Sequence, residues 1–121
     1  MLLNEKIGVL TYDGLLVNNV PEADVFNVTV SAGEGVLKRG TVLALGEDGK
    51  MSVLDVNDTT LKANCILAED IDATEEAIAL AYRTGHFNEQ ALLTKDDAEM
   101  NAANKEALRD VGILVSDTIA Y

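Results

Sequence analysis

The chain has 121 residues and a mass of 12.9 kDa, room for one domain with a modest core that removes roughly 65% of the unfolded surface from water. Its 48% hydrophobic share argues against disorder along the whole length, but with no Trp, three Tyr and two Phe that core must be built mainly from Val, Leu, Ile and Ala. The 21 acidic residues against nine basic ones give a net charge of −12, which repels phosphate backbones and anionic membranes, and no basic cluster exceeds Lys38-Arg39.

The single Cys65 cannot form an internal disulfide, and the start, Met1 to Lys6, lacks the basic and then apolar pattern of a secretory signal. No apolar run approaches the ~20 residues a membrane helix needs. The expectation is a soluble protein made in a cytoplasm.

Residues 1–20 carry short apolar pairs (Leu2-Leu3, Val9-Leu10, Leu15-Leu16) around Gly8 and the turn dipeptide Asp13-Gly14. They read as an extended N-terminal arm, which the lone proline, Pro21, separates from a body of residues 21–121. Val25 to Val30 alternates, with Phe26, Val28 and Val30 on one face and Asn27 and Thr29 on the other, the pattern of a half-buried strand. Ser31 to Gly35 is a flexible turn. Thr41 to Leu45 and Lys50 to Val56 are strands, and the glycines of Gly46-Glu47-Asp48-Gly49 predict a hairpin between them. Cys65 to Ala68 is a short apolar strand running into the acidic stretch Glu69-Asp70-Ile71-Asp72.

Ala73 to Arg83 is helical by its alanines but strand-like by period. Ile78, Leu80 and Tyr82 repeat every second residue, so the segment is assigned as a core strand with these three buried and Glu75 and Glu76 solvated. Thr84-Gly85 closes it, and His86 is a turn residue. Thr94-Lys95-Asp96-Asp97 has the hydroxyl and carboxylates of a helix N-terminus, and Gly112 is a stop after Arg109. One short helix is therefore placed near residues 95–111, followed by a strand at Ile113-Leu114-Val115. The fold class is mainly β with some helix (α+β).

No arrangement of chemistry-bearing residues passes its own test. Counted from Asp70 as a calcium loop, the sixth position is Glu75 where glycine is required and the twelfth is Ala81 where a bidentate Glu is required. Gly33-Glu34-Gly35 with Lys38 lacks the third glycine and the following helix of a dinucleotide site, and Glu34 would repel a pyrophosphate. His86 has no second histidine or CxxC for a metal. A Cys65–His86 nucleophilic pair is formally available, yet two singletons make a weak case, and Cys65 reads as a small buried hydrophobe. No catalytic, cofactor-binding or metal-binding residue is assigned.

The order of features from Thr41 onward resembles a known family. Thr41 to Leu45 is followed by Glu47-Asp48-Gly49-Lys50-Met51-Ser52-Val53-Leu54, then Cys65-Ile66-Leu67-Ala68-Glu69-Asp70-Ile71-Asp72-Ala73, then Ala81-Tyr82-Arg83-Thr84-Gly85-His86-Phe87-Asn88, and finally Ala107 to Ile113. Across residues 36–115 this is similar to the lambda-type head decoration proteins of tailed bacteriophages. The resemblance implies a small β-clip-like domain, a structural protein and not an enzyme. It implies homotrimers on the outer surface of the virion, bound to the major capsid protein at three-fold and quasi-three-fold positions of the expanded head. It further implies an arm that orders on the shell, for which Leu2, Leu3, Ile7, Val9 and Leu10 are the candidate capsid contacts. The competing class is a small acidic binding module, responsive to calcium or binding carbohydrate.

Overall fold

The computed structural model describes residues 15–18, 23–58, 60–95, 98 and 100–116. Nine strands are present among them: β1 (Leu16–Asn18), β2 (Asp24–Val30), β3 (Gly35–Leu37), β4 (Val42–Leu45), β5 (Met51–Val53), β6 (Ala63–Leu67), β7 (Ile71–Ala73), β8 (Ala77–Asn88) and β9 (Ile113–Ser116). A 3₁₀ turn at Glu89–Ala91 and one helix, α1 (Ala102–Val111), complete the order.

The sheet closes on itself. β8 pairs antiparallel with β2 and with β6, β6 with β4, β4 with β5, and β5 meets β2 in parallel at Val30 and Met51. These five strands form a small barrel, which removes the exposed edges an open sheet would present. β8 is long enough for two tasks. Its first half belongs to the barrel, and its second half, residues 85–88, pairs with β9 on one side while Phe87 and His86 pair with β1 on the other. β3 and β7 form a separate two-stranded ladder.

Two cores follow from this closure. Val28, Val30, Leu43, Met51, Cys65, Leu67, Ala79 and Ala81 fill the barrel, with Leu37 and Ala73 of the β3–β7 ladder packed against them. Outside it, Val42, Ala44, Ala63 and Ile66 project from the opposite faces of β4 and β6 toward Leu15, Tyr82, Phe87, Met100, Leu108 and Ile113. β4 and β6 are thus buried on both faces, which is why Val42-Leu43-Ala44 and Cys65-Ile66-Leu67 are continuous apolar runs and not alternating ones.

Several expectations hold. β2 alternates as read, and the Gly46–Gly49 connection makes an antiparallel hairpin in which Gly49 adopts a φ of 81°. Gly112 ends α1 in the left-handed region, its N–H reaching the carbonyls of Leu108 and Arg109, and β9 follows directly.

Others are corrected. The strand read at Ala73 to Arg83 exists as β8, but Ile78 is 74% exposed and Leu80 40% exposed, while the intervening Ala79 and Ala81 are buried. Ile78, Leu80 and Tyr82 do share a face, and it is the outer one. Only Tyr82 lies where the second core covers that face. Alanines point inward because Val28, Val30, Leu43, Met51 and Leu67 already occupy the narrow interior. Gly85 does not close the strand, and His86 lies within it: Gly85 has a φ of 145°, and a Cβ there would meet Phe87 Cε1 at 2.7 Å, so glycine lets the ring fold over the chain while pairing continues to Asn88. The acidic stretch after β6 carries a further strand, β7, at Ile71–Ala73.

The helix starts later than Thr94. Asn101 caps α1, its side-chain oxygen accepting from Asn104 N at 2.9 Å, whereas Thr94 is buried and its hydroxyl donates to the Ala98 carbonyl. The buried Asn104 in turn accepts from Ala63 N at 3.3 Å, fixing the helix to β6. Finally, the segment read as an arm joins the body before residue 20. Leu15 is 1% exposed in the outer core, its carbonyl accepts from Asn88 N at 2.8 Å, and β1 pairs with β8. Pro21 lies outside the described residues.

Candidate interaction surfaces

Of the two residues that could have suggested catalysis, Cys65 has surroundings that disfavour it. Cys65 sits in the barrel with its Sγ 4.0 Å from Met51 Sδ, and burial pushes its thiol up to about 12, the reverse of what a nucleophile needs. His86 is on the far half of β8, where its Nε2 lies 3.1 Å from Ser116 Oγ. The structure does not join the two.

Acidic side chains near the barrel serve the backbone. Glu34 Oε1 accepts from Val53 N at 2.8 Å, where β2 has already turned away from β5. Glu69 Oε2 accepts from Leu80 N at 2.9 Å, one step past the last β6–β8 pair. Asp70 accepts from Arg39 N at 2.8 Å. Asp72 and Asp58 each accept from a threonine two residues on, Thr74 and Thr60, and these bonds hold both carboxyls below the usual aspartate range. Among the described residues no three His, Cys, Asp or Glu side chains converge on a metal-sized site.

Arg39 locks the crossing between the ladder and the barrel. Its guanidinium lies 5.3 Å from the Tyr82 ring centroid, donates to Tyr82 Oη at 2.5 Å, and reaches the Ala68 carbonyl at 3.3 Å. Sequence reasoning passed over this residue because its partners lie 29 and 43 positions away.

What the molecule offers to partners is surface. The outer wall of the β2–β8 ladder presents Val25, Ile78 and Leu80, with Asn27 opposite Leu80 and Thr29 opposite Ile78. None of these five is ionisable, although the chain carries −12. An exposed ion pair bounds the strip at each end: Asp24 with Arg83 at 2.7 Å, and Lys50 with Glu76 at 2.6 Å. On the far side of the barrel a groove of about 720 Å³ runs between α1, the end of β4 and the segment before β6, lined in part by Leu45, Val56, Leu61 and Val111. Leu2, Leu3, Ile7, Val9 and Leu10 lie outside the described residues.

Against this background of strands, an uncharged outer-wall strip and a buried thiol, comparison with known families is decisive. The sequence model of the family Bacteriophage lambda head decoration protein D matches residues 6–114. The chain belongs to that family. The match takes in the segment before Pro21 as well as the body, and so extends the resemblance read over residues 36–115. No curated protein matches the chain. The head decoration family is structural, not catalytic, and its members are components of the phage capsid.

Proposed function

We propose that this protein cements a phage head from outside: homotrimers bind the major capsid protein at three-fold and quasi-three-fold positions of the expanded shell and hold neighbouring capsomers together against internal pressure. The observation that carries this reading is the head decoration family match over nearly the whole chain. The physics suits the role. A trimer touches several coat subunits at once, so individually weak contacts multiply through effective concentration. Binding only the expanded shell stabilises that state by linkage.

Within this reading the N-terminal residues Leu2, Leu3, Ile7, Val9 and Leu10 make capsid contacts. A segment of this kind can add a strand to an exposed sheet edge, with alternate side chains such as Ile7 and Val9 entering pockets. Ordering it costs about 1–2 kcal/mol per residue, so one arm binds weakly and three on one trimer bind well. Because Leu15 is core, the informative deletion removes residues 2–12 only.

The test adds purified protein to expanded, undecorated heads and measures bound protein. Saturable binding is expected, with affinity strongly reduced in the 2–12 deletion and melting temperature nearly unchanged. Full-affinity binding by the truncated protein would assign attachment to the body. No saturable binding by the intact protein would overturn the function.

A further inference from the structure

Four aspartates fold their carboxyl groups back over the peptide that follows them. Asp48, Asp55, Asp58 and Asp72 each accept from the backbone N–H two residues on, that of Lys50, Asn57, Thr60 and Thr74, at 3.0, 3.0, 2.9 and 3.0 Å. The residue in between differs. Val56, Thr59 and Ala73 carry side chains that crowd the intervening nitrogen, whereas Gly49 has none. Asp48 and Gly49 are both exposed between β4 and β5, and beyond its chain neighbours nothing lies within 4 Å of where a Gly49 Cβ would stand. The other described aspartates, Asp24, Asp70 and Asp110, precede Val25, Ile71 and Val111, and no asparagine in the chain precedes a glycine.

We infer that Asp48-Gly49 is a site of spontaneous modification in the folded protein, where the peptide isomerises to a β-aspartyl linkage. The Gly49 nitrogen attacks Cγ of the Asp48 carboxylic acid, whose hydroxyl leaves with the amide proton as water, and a succinimide ring closes. Water then opens the ring at either carbonyl. Opening at the main-chain carbonyl leaves Gly49 attached through Cγ, so the backbone is longer by one carbon and the mass is unchanged. The Gly49 N–H donates to the Gly46 carbonyl at 3.0 Å, a bond that must open first, at an exposed turn where water replaces it. The position gives the change a consequence. Gly49 lies two residues before Met51, which pairs with Val30 and accepts from Ser31 N at 2.9 Å where β5 meets β2 and the barrel closes. Isomerisation removes the Asp48–Lys50 bond and lengthens the loop beside that closure, so the modified protein should melt several degrees lower.

The test incubates the purified full-length protein near neutral pH at physiological temperature, with samples digested by trypsin. Cleavage after Arg39 and Lys50 isolates residues 40–50, and cleavage after Lys6 and Lys38 leaves Asp13-Gly14 on a separate peptide. Electron-transfer fragmentation distinguishes the β-aspartyl form, and a synthetic peptide of residues 40–50 sets the rate without the fold. The β-aspartyl form of Asp48 should accumulate in the folded protein within about tenfold of the free peptide's rate, because only a local opening precedes it. Asp48→Asn should accumulate it faster, with the mass gain of deamidation. Asp48→Glu keeps the charge but must close a larger ring, so it should accumulate none and hold its melting temperature throughout. Unmodified Asp48 in the folded protein when half of the free peptide has converted would overturn the inference, as would modification that appears only in denaturant. An equal fall in melting temperature for Asp48→Glu would overturn the consequence drawn for the barrel.

Discussion

Leu80 and Ala81 are neighbours on β8 with opposite fates: the leucine is 40% exposed on the outer wall, and the alanine is fully buried inside the barrel. Size alone would have placed them the other way round. Leu80→Asp is therefore expected to fold, with a melting temperature close to the parent when measured as a monomer. Ala81→Asp puts a carboxylate among Val28, Leu67 and Cys65 and should prevent folding, because an unpaired buried charge costs several kcal/mol or more. Thermal unfolding followed by circular dichroism compares the two directly.

Gly85 and Phe87 make a second stringent pair. At a φ of 145°, with Phe87 Cε1 only 2.7 Å from where a Cβ would stand, Gly85→Ala meets both backbone strain and a ring that cannot move out of the outer core. A loss of about 3 kcal/mol is expected in urea unfolding. Gly49→Ala, with a φ of 81° and open space around it, should lose only about 1 kcal/mol.

Cys65 gives a pH signature. Burial raises its thiol from 9.0 to about 12, so the folded state holds the proton more tightly than the unfolded state. The corresponding stability is fully present below pH 9 and is lost as pH rises toward 12. Cys65→Ala should flatten that alkaline decline. At pH 8 the native thiol should resist alkylation and react only on unfolding, and rapid labelling of the folded protein would contradict its placement.

Asn101 takes the role that the sequence suggested for Thr94. Its side chain accepts from Asn104 N and donates to the Val56 carbonyl at 3.3 Å. Asn101→Ala should cost about 1 kcal/mol by the same unfolding measurement.

These residues show where the sequence was readable. β2, the Gly46–Gly49 hairpin and the Gly112 stop depend on local chemistry: alternation, turn glycines and a left-handed cap. The face of β8 was not readable, because which side of a closed sheet is inside depends on how much space the other four strands leave. The helix start was missed because Thr94 and Asn101 are both competent caps, and the Lys95 N–H is taken by the Leu54 carbonyl at 2.9 Å, not by a helical turn begun at Thr94. The Arg39–Tyr82 contact and the outer-wall strip are products of long-range pairing, with no signature in any short window.

The central claim, decoration of the expanded head by trimers, is tested most directly by counting copies. Each local three-fold position gathers three coat subunits, so one trimer at each position requires about one copy of this chain per coat subunit. Quantitative mass spectrometry of saturated, purified heads should give that ratio on expanded shells and negligible binding on unexpanded ones. A saturating ratio far from one, or equal binding to both shells, would contradict the account.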